Sequence, residues 1–255
     1  MRYGRIRSTP HASSYARLDG ERALFLDGPP WRGGRETGAW REVGVHDLDC
    51  PVDPTKIVGI GRNYAAHARE LGHDVPSEPL LFLKAPSALC GPGDVVVLPP
   101  ESARVEHEAE LAVVIGRRAK GVAESAAHEY VLGFACACDV TARDLQRKDV
   151  QFTRSKSFDG FCPVGPWIET ELAVDAAPVV CRVDGAVRQN GSTSDMIFSV
   201  RQVVAYVSRM MTLEPGDVIL TGTPEGVGPL VAGNSVDIEI AGIGTLAFRV
   251  ASSRR

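Results

Sequence analysis

The chain has no Cys-x-x-Cys pair: its six cysteines, Cys50, Cys90, Cys136, Cys138, Cys162 and Cys181, are spread thinly along 255 residues. Paired-thiol chemistry is therefore not expected, and free, reduced thiols fit a cytoplasmic enzyme. The one close pair, Cys136 and Cys138, would share one face of a strand and reads as a buried structural pair. No apolar run approaches the roughly 18 residues of a membrane helix, and the opening MRYGRIRSTPHASSYARLDG contains no apolar signal core. A soluble, cytoplasmic protein without a membrane partner is expected. The formal net charge is -4, and Lys and Arg are scattered instead of gathered into a stripe, which argues against nucleic acid as a partner. Internal repeats and low-complexity segments are also missing. What is present, 44% hydrophobic and 24% charged residues, is the composition of a folded protein with a sizeable core.

Residues 1–50 contain short strand-like pieces, RYGRIRS, SYARLD and RALFLD, and a loop, GPPWRGGRETGAW. The two prolines of CPVDPTK interrupt regular pairing and mark a boundary. We therefore divide the chain into a small β-rich N-terminal domain, 1–52, and a larger domain, 53–255. Beyond the boundary, most segments are short, rich in Val and Ile and bounded by Gly and Pro, among them IVGIG, LLFLK, GDVVVLP, ELAVVIG, YVLGFACACDVT and SVDIEI. Helices are expected near NYAAHARELG, at TARDLQRKD and over MIFSVRQVVAYVSRMM. There is no regular βαβ alternation, so the fold class is α+β and β-dominated, not a doubly wound sheet.

The segment VEHEAELAVVIG, 105–116, carries three carboxylates into an aliphatic run. In extended chain Glu106, Glu108 and Glu110 share one side, where like charges repel unless a cation sits between them. A hard divalent cation would take Glu108 and Glu110 as oxygen ligands, with Asp139 at the end of YVLGFACACD as the third. The competing reading is a solvated strand face, with Asp139 as the N-cap of the TARD helix. Zinc is less attractive, because HEAE lacks the second histidine of H-E-x-x-H and His107 would face away from the glutamates.

His67 and Glu70 lie three apart in GRNYAAHARELG, so one helical turn brings them within reach of each other. A carboxylate beside imidazole fixes its tautomer and raises its basicity, as a general base requires; the alternative is an exposed helix start with a salt-bridging face. Gly59 and Gly61 are too few for a dinucleotide fingerprint. Candidate anion-binding groups are Arg62 of GRNY, Lys84 at the end of LLFLK, Arg143 and Gln146 three apart in TARDLQ, Lys156 in TRSKSFDGFCP, and Thr223 in the glycine-rich loop TGTPEGVGP. Each has a purely structural alternative; together they describe an anion-binding metal site.

The order of GRNYAAHARELG, EPLLFLKAPSAL, HEAELAVVIG, CDVTARDLQ, SKSFDGFCPVGPW, SDMIFS and LEPGDVILTGTPEGVGP resembles the fumarylacetoacetate hydrolase family, from about Lys56 to Val250. The resemblance implies a mixed β-roll or sandwich catalytic domain, usually a homodimer, with Mg²⁺ or Mn²⁺ held by Glu108, Glu110 and Asp139. It implies a catalytic His67–Glu70 pair on a mobile lid, a catalytic Lys156, and substrate contacts from Arg62, Lys84, Arg143, Gln146 and Thr223. Glu106 falls outside the implied ligand set and is expected at the rim, in solvent. The implied activity is on a 2-oxo or β-diketo acid through a metal-bound enolate: C–C bond hydrolysis or isomerisation, as in the catabolism of aromatic ring-cleavage products. The N-terminal appendage is typical of such bacterial members. Oxaloacetate decarboxylation and non-catalytic 2-oxo-acid binding are the alternatives. One departure stands out: Gly160 occupies a place where the resemblance leads us to expect threonine.

Overall fold

The computed structural model describes residues 1–9 and 12–253. The chain opens with four antiparallel strands, β1 (Arg2–Thr9), β2 (Ala12–Asp19), β3 (Arg22–Leu26) and β4 (Glu36–Glu42), followed by the short β5 (Leu48–Asp49). Then come β6 (Ile57–Gly61), helix α1 (Ala65–Glu70), β7 (Leu80–Lys84), β8 (Leu89–Cys90) and β9 (Val95–Leu98). The acidic segment forms β10 (Val105–His107) and β11 (Ala109–Ile115), and β12 (Val131–Cys138) returns beside it. After β13 (Thr141–Ala142), two short helices, α2 (Arg143–Lys148) and α3 (Thr153–Lys156), lead into β14 (Cys162–Glu169). The remainder is β15 (Pro178–Val183), β16 (Ala186–Ser192), α4 (Val200–Met210), β17 (Val218–Leu220), β18 (Gly228–Pro229), β19 (Ser235–Ile240) and β20 (Gly244–Ser252).

These strands make three sheets. The largest runs β4-β3-β2-β1-β14-β12-β11-β17-β6-β7, the second runs β16-β15-β19-β20-β9, and a small third, β13-β10-β18, bridges near the acidic segment. Every residue of β11 is buried, which is why it reads as an unbroken aliphatic run: it is flanked by β12 and β17 and covered on both faces. In β19, by contrast, burial alternates, as expected of a strand with one face on the core. The main core lies between the two large sheets and includes Leu111, Val113, Val164, Val179, Ile238 and Phe248. Ser199 caps α4 reciprocally with Gln202, and Val203, Val204 and Val207 turn its apolar face inward.

The N-terminal strands form a small β-rich unit with its own core of Ile6, Ala16, Leu18, Ala23 and Leu48. They do not form a separate sheet: β1 extends the main sheet by pairing Arg2 with Glu169 and Tyr3 with Ile168 of β14. The Cys136 and Cys138 thiols are free and buried, as a structural pair should be. Among the described residues no helix is long and apolar enough to cross a membrane.

Candidate active site and metal centre

The acidic segment is not one continuous strand. The chain changes sheets at Glu108: β10 belongs to the small sheet and β11 to the large one, and the Glu108 carbonyl accepts from the Asp139 N–H at 2.8 Å. Glu108, Glu110 and Asp139 each bring an oxygen into one cluster in which the chosen atoms all lie within 4.8 Å of one another. Glu108 is 4%, Glu110 2% and Asp139 0% exposed, so the solvated-face reading fails. The capping alternative fails too, since the residue preceding α2 is Ala142 and no side chain caps that helix.

Buried carboxylates need cations. Lys156 Nζ donates to Glu108 at 2.8 Å and to Asp139 at 2.5 Å, and Lys84 Nζ donates to the other Asp139 oxygen at 2.6 Å. Arg143 donates from a terminal nitrogen to Glu108 and from Nε to Glu106 at 2.7 Å. Glu110 differs: its bond is from the Gly222 N–H at 2.6 Å, and it has no cationic partner among the described residues. Burial opposes the Glu108 charge, but Lys156 and Arg143 outweigh it and hold that carboxyl well below the usual range. Burial, followed by the Asp139 and Glu108 charges, pushes Glu110 well above it. A cluster of hard oxygen donors with one uncompensated carboxylate fits a hard divalent cation, and Glu108, Glu110 and Asp139 are the residues that would hold Mg²⁺ or Mn²⁺.

Glycine is required at position 222. Its φ is +92°, and a Cβ there would lie 2.7 Å from the Asn63 Cβ, so the loop can bring its N–H to Glu110 only without a side chain. Gly160 has φ +77°, which accounts for glycine where threonine was expected: a β-branched residue is strained in that conformation.

Helix α1 carries the proposed acid/base pair. His67 Nδ1 lies 3.2 Å from Glu70 Oε2, and Glu70 Oε1 accepts from the Gly226 N–H at 3.0 Å, tying the helix to the TGTPEGVGP loop. His67 is 5% exposed, so it does not belong to an exposed salt-bridging face. It shares a cavity of about 310 Å³ with Glu108, Glu110, Asp139, Lys156 and Phe82. Arg62, Arg143, Gln146 and Thr223 line the same cavity. A larger cavity, about 600 Å³, is lined by Leu132, Phe134, Leu172, Met196 and Arg201 among others. Among the described residues it contains no triad of metal-ligating side chains; the candidate cluster lines the smaller cavity.

Two expectations need correction. Glu106 is not in solvent at the rim: it is 1% exposed, because Arg104 at 2.6 Å and Arg143 at 2.7 Å take its two oxygens. Lys84 does not reach the cleft; the anion it meets is Asp139, and it is 2% exposed and also bonded to the Val140 carbonyl at 3.3 Å. It braces a candidate ligand instead of facing a substrate. Thr223 lines the cavity, but its hydroxyl donates to the Ala109 carbonyl at 2.8 Å. Gln146 lines the cavity and accepts from Arg143.

Sequence reasoning missed Gln189. This fully buried amide accepts from the Ala109 N–H and from His107 Nδ1, both at 3.0 Å, and donates to Thr223 Oγ1 and to the Pro224 carbonyl, both at 2.8 Å. It clamps the two sides of the Glu108 break to the glycine-rich loop. No spacing rule points from β16 to a residue some eighty positions earlier, so the only signal was a glutamine inside a strand pattern.

The β-dominated scaffold thus places a buried oxygen-donor cluster, able to hold a divalent cation, beside a His–Glu pair in one cavity. Residues 56–251 match the family model described as Fumarylacetoacetate (FAA) hydrolase C-terminal, and residues 1–46 match one described as Rv2993c-like, N-terminal. The chain belongs to the fumarylacetoacetate hydrolase family. It is 44% identical over 200 residues to the mitochondrial oxaloacetate tautomerase FAHD1 of Bos taurus, covering 76% of this chain and 90% of that one. Among solved structures it superposes on 5-carboxymethyl-2-hydroxymuconate delta-isomerase from Mycobacterium smegmatis with a TM-score of 0.91 and 40% identity, covering 99% of this chain and 100% of that one. It also matches fumarylpyruvate hydrolase from Pseudomonas aeruginosa in complex with Mn²⁺ and pyruvate, with a TM-score of 0.75 and 35% identity over 80% and 91% of the two chains.

Proposed function

We propose that this protein is a Mg²⁺- or Mn²⁺-dependent enzyme that moves a proton next to the carbonyl of a 2-oxo acid, an isomerase-type reaction. The observation that carries this reading is the convergence of the Glu108–Glu110–Asp139 cluster and the His67–Glu70 pair on one small cavity. When bound, the cation supplies Lewis acidity toward the substrate's paired oxygens. The chain supplies the rest. Glu70 fixes His67 through Nδ1, leaving Nε2 to take a proton from C3 of the substrate and return it elsewhere. Lys156 places a fixed positive charge at the carboxylate cluster, where negative charge develops on the substrate oxygen. Phe82 and Phe152 line the cavity with apolar surface that limits water around these charges.

Supporting this reading is the likeness to an isomerase over nearly the whole chain and to a tautomerase over the catalytic domain. A second reading, C–C bond hydrolysis, uses the same groups with His67 taking the proton of a water molecule instead. It is favoured by the likeness to fumarylpyruvate hydrolase. The discriminating experiment is a turnover screen with added Mg²⁺ or Mn²⁺ over oxaloacetate, acylpyruvates, fumarylpyruvate and carboxymethyl-hydroxymuconate. Isomerised products without bond cleavage support the first reading, and cleavage products support the second. Full activity in excess chelator would overturn both.

A further inference from the structure

Two parts of the catalytic cavity come from distant stretches of the chain: α1, which carries His67 and Glu70, and the TGTPEGVGP loop, whose Gly222 N–H holds Glu110 at 2.6 Å. The helix is tied to that loop at both of its ends. At the C-terminal end, Glu70 accepts from the Gly226 N–H at 3.0 Å. Just before the N-terminal end the tie is Asn63, whose amide nitrogen donates to the Thr221 carbonyl at 2.8 Å. Asn63 does not itself line the cavity.

Asn63 is fully buried, and its amide is bonded to backbone on both its nitrogen and its oxygen. The nitrogen also donates to the Phe198 carbonyl at 3.0 Å, and the oxygen accepts from the Phe198 N–H at 2.8 Å. The Asn63 carbonyl accepts from the Ile197 N–H at 2.8 Å. One residue thus joins the turn into α1, the loop beside Glu110 and the chain that leads to α4. A short primary amide offers two donors and an acceptor at once, whereas an ionised carboxylate donates nothing and leucine neither donates nor accepts. The turn is over-determined: Arg62, the preceding residue, has φ +57°, a left-handed conformation that persists in a residue with a side chain only where its neighbours hold it. On the loop side, the approach of Gly222 to the Asn63 Cβ leaves no room for a side chain.

We infer that Asn63 is a positioning residue that holds the helix of the base His67 and the loop of the ligand Glu110 in one register. The inference rests on the reading of the cavity proposed above. Proton transfer at a cation-bound substrate needs base and cation at a fixed separation, because misplacement by about 1 Å costs on the order of a hundredfold in rate. His67 and Glu110 lie on separate elements, and the Asn63–Thr221 bond is the tie between those elements that lies next to Gly222, the residue that bonds Glu110. Removing the amide frees the loop at Thr221 and the chain before α1 together, so both are expected to loosen as one unit.

The test measures Mn²⁺ binding by calorimetry, at a temperature where circular dichroism shows each variant folded, and amide hydrogen exchange of residues 64–71 and 221–229 by mass spectrometry. Asn63→Ala is expected to weaken Mn²⁺ binding about tenfold, the low end of the range for groups that orient metal ligands, and to speed exchange in both segments together. Leu18→Ala, which opens a cavity in the separate N-terminal core, controls for lost stability and is expected to leave both readouts unchanged. Asn63→Asp matches the native shape and keeps the bond from the Phe198 N–H, so it serves where the alanine variant does not fold, with a smaller loss in the same direction. Unchanged Mn²⁺ affinity in a folded Asn63 variant, faster exchange in only one of the two segments, or an equal loss of affinity in Leu18→Ala would overturn the inference and leave the cation site standing. Failure of the wild-type protein to bind Mn²⁺ would overturn the cation site, and the inference with it.

Discussion

Gln189 donates from Nε2 to the Thr223 hydroxyl at 2.8 Å, and this bond joins the second sheet to the loop that holds Glu110. The same amide accepts from the Ala109 N–H on the far side of the Glu108 break. Replacing it with leucine leaves the Ala109 N–H and the Pro224 carbonyl without partners in the core. Gln189→Leu is expected to lose about 2–4 kcal/mol of stability, the scale of two buried polar groups left unsatisfied, and to weaken Mn²⁺ binding. Urea unfolding followed by circular dichroism checks the first effect and calorimetry the second; a variant as stable as wild type would show the clamp to be idle.

Glu106 affects the cation site through Arg143. With Glu106→Gln, Arg143 keeps its charge but loses a charged partner, and its pull on Glu108 strengthens. A cation must then compete harder for Glu108. Mn²⁺ affinity is expected to fall about tenfold, at the low end of the range for groups that orient metal ligands. Unchanged affinity by calorimetry would count against the link.

Cation binding should compete with a proton. Burial, and then Asp139 and Glu108, raise the Glu110 carboxyl well above its usual range, so a proton competes with a cation for it further up the pH scale than for an ordinary carboxylate. Mn²⁺ affinity therefore rises with pH below that raised value and levels off above it. Titrations in buffers of different ionisation enthalpy are expected to report proton release on binding that grows as pH is lowered. No release would mean that Glu110 is already charged.

Glu169 secures the N-terminal strands. Burial opposes its charge, but the N-terminal ammonium at 2.9 Å, the Glu171 N–H at 3.1 Å and Arg2 at 3.0 Å outweigh it and lower its range. A carboxyl depressed in the folded state contributes stability that is present above its unfolded value and lost as pH falls through the folded one. Glu169→Gln is expected to lower the melting temperature at neutral pH, with the gap from wild type closing in acid. A gap that stays constant on acidification would assign the loss to packing instead of charge.

Local patterns carried much of this into view before any tertiary information. Alternation and Val/Ile-rich runs mark the strands, the three-residue spacing of His67 and Glu70 places them on one turn, and the E-x-E of Glu108 and Glu110 with Asp139 at a strand end names the cluster. Each is legible because strand and helix periodicity act over a few residues. The change of sheet at Glu108 hid the fate of Glu106, since a single alternating strand would carry it out to the rim.

By itself, then, the sequence determined the strand pattern, the acidic cluster and the His–Glu pair. Tertiary structure alone decided which partner each of several buried polar groups receives: Lys84 comes to Asp139 from 55 positions away, Arg143 to Glu106 from 37, and Gln189 to Ala109 from 80. A buried charge or amide must find a partner somewhere, but only the packing of the sheets says which one arrives.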